Sequence, residues 1–294
     1  MQLVLDMRLR DIAIIGLVAI NEADSIDKAI TVMEEADVRH LPVLRDGLPV
    51  GIVSDRDILS HVGGLQGKDR VATFGDHDVV GPISVTEIMA SPLTTFRPDE
   101  KVEHAGRIML DNSISAAPLV ADGTLFGIVT ESDFLNCYLE THPDSPDSNW
   151  RYSMISERMT AGVKWLSPDD SLETAISLMN QRHIRHVPIV ALDRLAGIVS
   201  DRDIRQACYR RHVSNMREAE LHVGFIHQIV LREIMTDRVD SMASTQTLAE
   251  AAHDMCLFKI GSLPIVDGGK LVGIITETDL LRGFIEAFEA RHVG

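Results

Sequence analysis

The chain has 294 residues, enough for two domains that each bury a core of their own. Hydrophobic residues make up 45% and charged residues 24%, the balance of a soluble globular protein, and with aromatics at only 4% the core must rest on Ile, Leu, Val, Met and Ala. Lys plus Arg number 28 against 44 Asp plus Glu, and the resulting net charge of −16 disfavours nucleic acid and anionic membranes as partners, while leaving room for a local basic pocket.

In chain order, "MRLRDIAIIGLVAI" places basic residues before an apolar run over 12–20, the pattern of a signal peptide. No stretch reaches the roughly 18 apolar residues of a membrane span. Ile26, Ala29, Ile30 and Met33 then fall on one face of a helix. Two short apolar strands follow, joined at Asp46-Gly47, a hairpin signal repeated at Asp122-Gly123 and Asp267-Gly268. The second strand ends in "GIVSDRD" at 51–57, and a second helix begins directly after it. Residues 58–86 are glycine-rich and read as partly loop; "GGLQGKD" within them fails as a phosphate loop, because Val62 stands where glycine is required and Asp69 follows Lys68.

The heptad returns as "GIVTESD" at 127–133, "GIVSDRD" at 197–203 and "GIITETD" at 273–279. Counted from Pro42, Pro118, Pro188 and Pro264, all four copies hold an apolar residue at −16, Ala at −13, Met at −9, Gly at +9, Ser or Thr at +12 and Asp at +15. Gly51 to Gly197 and Gly127 to Gly273 are each 146 residues, so the copies form two duplicated pairs. The polar "THPDSPDSN" at 141–149 reads as the linker between them, giving modules at 1–140 and 153–294 about a linker at 141–152, with repeats near 8–62, 84–140, 153–210 and 230–294. In this frame Ala13 takes the place of Met89, Met159 and Met235, so the run 12–20 is the opening strand of copy one and not a signal peptide. Residues 204–232 read as helical and carry Arg210, Arg211 and Arg217, either on a solvated face or as further phosphate donors or a partner dock. The tail is an amphipathic helix by Leu281, Phe284, Ile285 and Phe288, expected to pack on its module. Cys137, Cys208 and Cys256 lack metal-ligand spacing and read as reduced thiols of a cytoplasmic protein.

The β-α-β-β-α order, the proline and the G-h-h-[ST]-x-x-D ending together resemble the CBS domain, over essentially the whole chain outside the linker and inter-copy segments. Four copies in two pairs resemble two tandem Bateman modules, as in the gamma subunit of AMP-activated protein kinase and stand-alone prokaryotic CBS proteins. The fold class implied is α/β (α+β), with the paired modules forming a flat, pseudo-four-fold disc within one chain or between chains.

Two readings of the heptad stand side by side. In one, Ser54/Asp57, Thr130/Asp133, Ser200/Asp203 and Thr276/Asp279 are helix capping boxes with no ligand at all. In the other, the same helix start receives a phosphate and the acid receives ribose hydroxyls. The resemblance implies the second: in CBS domains this Asp binds ribose and the Ser or Thr lies near the ribose–phosphate junction. Copies one and three add Arg39 and Arg185 three residues before the proline, a position that in the kinase gamma subunit contacts phosphate, and Arg56 and Arg202 inside the heptad. Copies two and four hold Ser115, Gly261, Ser132 and Thr278 there. Two arginines aimed at one place repel unless an anion or carboxylate lies between them. His40 and His186 stand beside them as further candidates; a metal reading of "HIRH" at 183–186 is disfavoured, because copy one has only His40 in the matching region.

The expectation is a non-catalytic regulator that binds AMP, ADP or ATP, the last with Mg²⁺, between paired repeats and signals to a partner protein or through a homo-oligomer. S-adenosylmethionine, a dinucleotide, or a ligand-free oligomerisation module are the alternatives.

Overall fold

The computed structural model describes residues 7–64, 84–141, 149–214 and 229–290. After a turn of helix, α1 (Leu9–Ile12), copy one runs β1 (Ile20–Asn21), α2 (Ile26–Ala36), β2 (His40–Arg45), β3 (Leu48–Ser54) and α3 (Asp55–Gly64). Copy two contributes α4 (Val102–Asp111), β4 (Ala116–Ala121), β5 (Thr124–Thr130) and α5 (Glu131–Thr141). After α6 (Asn149–Tyr152) and β6 (Thr160–Ala161), copy three gives α7 (Leu172–Arg182), β7 (His186–Ala191), β8 (Arg194–Ser200) and α8 (Asp201–Ser214). Copy four gives α9 (Leu248–Phe258), β9 (Ser262–Asp267), β10 (Lys270–Thr276) and α10 (Glu277–Ala290).

Local chemistry explains these elements. The Ser25 side chain accepts from the Lys28 amide at 3.2 Å to open α2, and Asp37 closes it in the left-handed region at φ 55°. Ser171 and Thr247 cap α7 and α9 in the same way, whereas Lys101 at the start of α4 supplies no side-chain cap. In α2 the buried face is Ile26, Ala29, Val32 and Met33, with Ile30 at its margin. Each hairpin turns through two residues of positive φ, as a type I′ turn requires: Asp46-Gly47 and Asp122-Gly123 do so as the sequence predicts. In copy four the turn sits one residue later, at Gly268-Gly269, and in copy three it is Leu192-Asp193, for which composition gave no signal. All four hairpins carry a bulge at the same register, beside the pairs Val43↔Gly51, Leu119↔Gly127, Ile189↔Gly197 and Gly273↔Ile265.

The run 12–20 departs from expectation. Only Ile20 joins a strand of copy one, pairing in parallel with Val43. Ile14 instead bridges Ile128 of copy two, and Ile15 stays 61% exposed. The exchange recurs: Ala90 bridges Ile52, Thr236 bridges Ile198, and β6 pairs with β10. This explains the glycine at +9. A Cβ on Gly51 would meet Met89 Sδ at 2.4 Å, on Gly197 Met235 Sδ at 2.7 Å, on Gly273 Met159 Sδ at 2.8 Å, and on Gly127 the Ile14 carbonyl oxygen at 2.8 Å.

The described residues gather into two compact units, each drawn from both halves of the chain. The odd unit lies within 18–93 and 164–239 and holds the bodies of copies one and three; the even unit lies within 1–17, 94–163 and 240–294 and holds those of copies two and four. These units and the duplication boundary at 141–152 therefore cut the chain differently. In the even unit Phe134, Leu135, Leu281 and Phe284 are at most 1% exposed, and Tyr138 meets Phe284 at a 4.5 Å ring separation. Burying each such side chain contributes about 1.5–3 kcal/mol, which seats α10 on its unit as its periodicity predicts. In the odd unit Leu59 of α3 packs into the core of copy three, beside Met179 and Ile204. Residues 65–83, 142–148 and 215–228, with Arg217, lie outside the described residues, as do the side chains of Cys208, Arg210, Arg211 and Phe288.

Candidate functional site

Each heptad ends a strand and starts a helix, and all four starts are built alike. The amides of Asp55, Glu131, Asp201 and Glu277 donate to the carbonyls of Arg39, Ser115, Arg185 and Gly261, at 3.2, 3.1, 3.0 and 3.1 Å. The residue three before the proline is thereby held at the helix start whatever its side chain. Ser54 donates through Oγ and its amide to Asp57 Oδ2 at 2.6 and 2.8 Å, and Ser200 does the same to Asp203 at 2.7 and 2.8 Å. Thr130 reaches Asp133 at 2.8 Å and Thr276 reaches Asp279 at 2.7 Å. The acid thus reaches back to the capping residue in all four copies, and in copies one, three and four its own amide also donates to the hydroxyl. Burial, outweighing these hydrogen bonds, holds Asp57, Asp133 and Asp279 above the usual carboxylate range.

Beyond the caps the two units diverge. In the odd unit Arg39, His40, Arg185 and His186 come together from copies one and three. The pKa of His40 is pushed down to about 3 by burial, then by Arg39 and Arg185; that of His186 also falls to about 3, by burial, Arg185 and Arg39. Both imidazoles are therefore neutral at pH 7. Two buried carboxylates feel these arginines: Asp201, 6% exposed, feels both Arg185 and Arg39, and Asp55, 3% exposed, feels Arg39. Burial pushes Asp55 up to about 7 against the opposing pull of Arg205, with Asp201 adding like-charge repulsion. Asp201 is raised by burial too, held back by Arg185, Arg39 and Arg56.

Arg56 and Arg202 turn away from their neighbours in sequence. Arg56 Nη2 donates to the His183 carbonyl, and Arg202 Nη2 pairs with Asp37 Oδ1. Asp37 and His183 are the left-handed C-caps of α2 and α7, so each arginine closes the helix end of the opposite copy. Arg205 breaks this symmetry. Its Nε lies 2.5 Å from Asp55 Oδ1, in ionic contact without hydrogen-bond alignment, and its Nη1 pairs with Glu34. A cleft of about 330 Å³ beside this network is lined by Arg56, Ser60, Asn180, His183 and Asp201.

In the even unit the same positions hold no arginine. Glu131 and Glu277, each 4% exposed, occupy the places of Asp55 and Asp201. Thr278 Oγ1 donates to Glu131 Oε1 at 2.6 Å and Ser132 Oγ donates to Glu277 Oε1, a reciprocal clasp between copies. Asp133 feels Glu277 as a like charge, where Asp57 feels Arg56 as an opposite one. Glu277 and Asp133 also add to the burial that pushes the Cys256 thiol up to about 11. Among the described residues no group of three or more His, Cys, Asp or Glu side chains gathers as metal ligands. His183 caps α7 while His186 begins β7.

Sequence reasoning singled out Arg39, Arg56, Arg185, Arg202 and the four capping pairs but missed five buried ionic groups. Four were legible as the residue after each Ser or Thr, acidic in every copy: Asp55, Glu131, Asp201 and Glu277. The fifth, Arg205, stands where the other copies hold Leu59, Leu135 and Leu281. A charge at a position otherwise reserved for core leucine signals a buried partner.

The chain belongs to the CBS domain family, whose description matches residues 9–64, 85–140, 155–210 and 231–286. It is 28% identical over 280 residues to protein MJ1225 of Methanocaldococcus jannaschii, covering 91% of this chain and 95% of that one. The crystal structure of that protein, described as a candidate archaeal homolog of γ-AMPK, superposes with a TM-score of 0.79 at 26% identity, over 95% of this chain and 100% of that one. A 33.4 kDa protein of Thermofilum pendens is 28% identical over 253 residues, 83% of this chain and 80% of that one. Among the described residues no helix is long and apolar enough to cross a membrane.

Proposed function

We propose that this protein is a non-catalytic regulator that binds adenine nucleotides at the heptad helix starts, with phosphate received in the odd unit. The observation that carries this reading is the convergence of Arg39 and Arg185, from copies 146 residues apart, about His40, His186 and the buried carboxylate of Asp201. Two guanidinium groups beside two helix N-termini are suited to a phosphate. Asp57 and Asp203, whose Oδ2 atoms serve the caps, are the groups for ribose hydroxyls by the family resemblance. His40 and His186, neutral and beside both arginines, can each donate a ring N–H to a phosphate. The likeness to MJ1225, along nearly its whole length, supports a regulatory role over an enzymatic one. On this reading the duplicated pairs act as two Bateman modules, and a nucleotide that favours one arrangement of them changes how the protein meets a partner or another copy of itself.

The test is calorimetric titration of nucleotide-stripped protein with AMP, ADP and ATP, repeated with the Asp57→Ala/Asp203→Ala variant. Binding that disappears in the variant supports the reading. No heat from any of the three, in protein that melts cooperatively, would leave the heptads as helix caps alone.

A further inference from the structure

The two units share one backbone plan yet offer a ligand opposite charges, and this bears on how many nucleotides the chain holds. At the residue anchored to each helix start, the odd unit has Arg39 and Arg185 and the even unit Ser115 and Gly261. At the next residue it has His40 and His186 against Ala116 and Ser262. In the second position of the helix it has Arg56 and Arg202, each bonded to the helix end of the opposite copy, against Ser132 and Thr278, each bonded to a glutamate of the opposite copy. The even unit's buried charges are Glu131 and Glu277, and their contacts are already made, because each accepts a hydroxyl from the opposite copy. Its capping acid Asp133 faces the like charge of Glu277, and Arg282 beside Asp279 stands on the C-terminal side of the cap and not at the position of Arg39 or Arg185.

We infer that the even unit refuses phosphate, so that the chain takes up two nucleotides and not four, both with their phosphates in the odd unit. This rests on the nucleotide reading above and sharpens it. The physical reason is electrostatic. A phosphate brought to the start of α5 or α10 meets a buried carboxylate at the first residue of the helix, with a hydroxyl pair bonded to carboxylates rather than turned outward. The favourable helix dipole there is answered locally by two acids per helix, Glu131 with Asp133 and Glu277 with Asp279. In the odd unit the equivalent acids, Asp55 and Asp201, are matched by Arg205, Arg185 and Arg39. An adenosyl ligand that carries no phosphate meets no such penalty in the even unit, so the selectivity is for charge and not for the purine.

The experiment is AMP titration of the full nucleotide-stripped chain, with bound AMP also counted directly after rapid desalting. Two AMP per chain are expected. Asp133→Ala/Asp279→Ala should keep two sites with affinity within about threefold of wild type. Asp133→Asn/Asp279→Asn, which keeps a hydrogen-bonding cap, should do the same and guards against loss of fold. Three or four AMP per chain, or a stoichiometry that falls in either even-unit variant while the protein still melts cooperatively, overturns the inference and leaves nucleotide binding intact. Absence of all AMP binding in wild type removes the nucleotide reading itself, and this inference with it.

Discussion

The odd and even units are the same β-α-β-β-α plan folded twice, and they solve one problem in two ways. Each brings two helix N-termini together and buries an acid on each. The even unit meets its acids with hydrogen bonds from hydroxyls of the opposite copy, a short and closed set of contacts. The odd unit sets arginines beside them, Arg205 against Asp55 and Arg185 with Arg39 about Asp201. A core tolerates a buried carboxylate by either route, but only the second places cationic groups beside the helix starts. Repeats that diverge in this way keep a scaffold in one place and place chemistry in the other.

The sharpest way to break the comparison is at Arg205, the one heptad-helix position where charge replaces leucine. Arg205→Ala leaves Asp55 and Glu34 without their partner in a site that is 1% exposed at the arginine. Breaking a buried ion pair in this way typically costs about 3–5 kcal/mol, to be read as a fall in the urea midpoint. The even unit has no equivalent, and an effect below 1 kcal/mol would show that the pair is not formed.

Next in size are the glycines against which the exchanged segments lie. Gly127→Ala in the even unit drives a Cβ to 2.8 Å from the Ile14 carbonyl oxygen, which cannot step aside. Gly51→Ala in the odd unit meets the flexible end of Met89, with the nearest backbone atom at 3.3 Å. Overpacking of this sort costs about 1–3 kcal/mol, so Gly127→Ala should sit at the upper end and Gly51→Ala at the lower in thermal melts. The reverse order would mean that the exchange at Ile14 is wrong.

A smaller effect is expected in the even unit's clasp. Ser132→Ala and Thr278→Ala each remove a donor from a buried glutamate, and a loss of about 1–3 kcal/mol apiece is expected by denaturation.

The smallest is a matter of pH. His40 and His186 have pKa values of about 3 in the fold against an ordinary 6.5, so their neutral forms stabilise it fully above 6.5 and that contribution is lost as pH falls towards 3. Asp55, raised to about 7, acts in the opposite sense: its contribution is whole below its ordinary 3.8 and is lost as pH rises through 7. His40→Asn/His186→Asn isolates the first effect. From pH 7 to pH 5 this variant should lose less stability than wild type; an equal loss would mean that the imidazoles are solvated.

How much of this the sequence disclosed depended on how local the cause was. Helix caps and the hairpin at Asp46-Gly47 are set by neighbours in the chain, and they were legible. The four-fold repeat gave the architecture because identical spacing leaves one plan. The exchanged segments were not legible, since a run such as 12–20 has the same apolar character whether it pairs with its own copy or another. Nor was the turn at Leu192-Asp193, where the flanking strands impose positive φ on residues that do not favour it. At the site, the arginines announced themselves by differing between copies. Asp55 and Asp201 did not, because an acid beside the capping residue reads as surface until the opposite copy covers it.

The central claim is that Arg39 and Arg185 receive a phosphate. The most direct measurement is the ratio of adenosine to AMP dissociation constants, in wild type and in Arg39→Ala/Arg185→Ala protein. Each charge-assisted hydrogen bond is worth about 1.5–3 kcal/mol, so wild type should prefer AMP by more than about tenfold, and the variant should lose that preference with adenosine binding nearly unchanged. A variant that still prefers AMP as strongly as wild type would contradict the account.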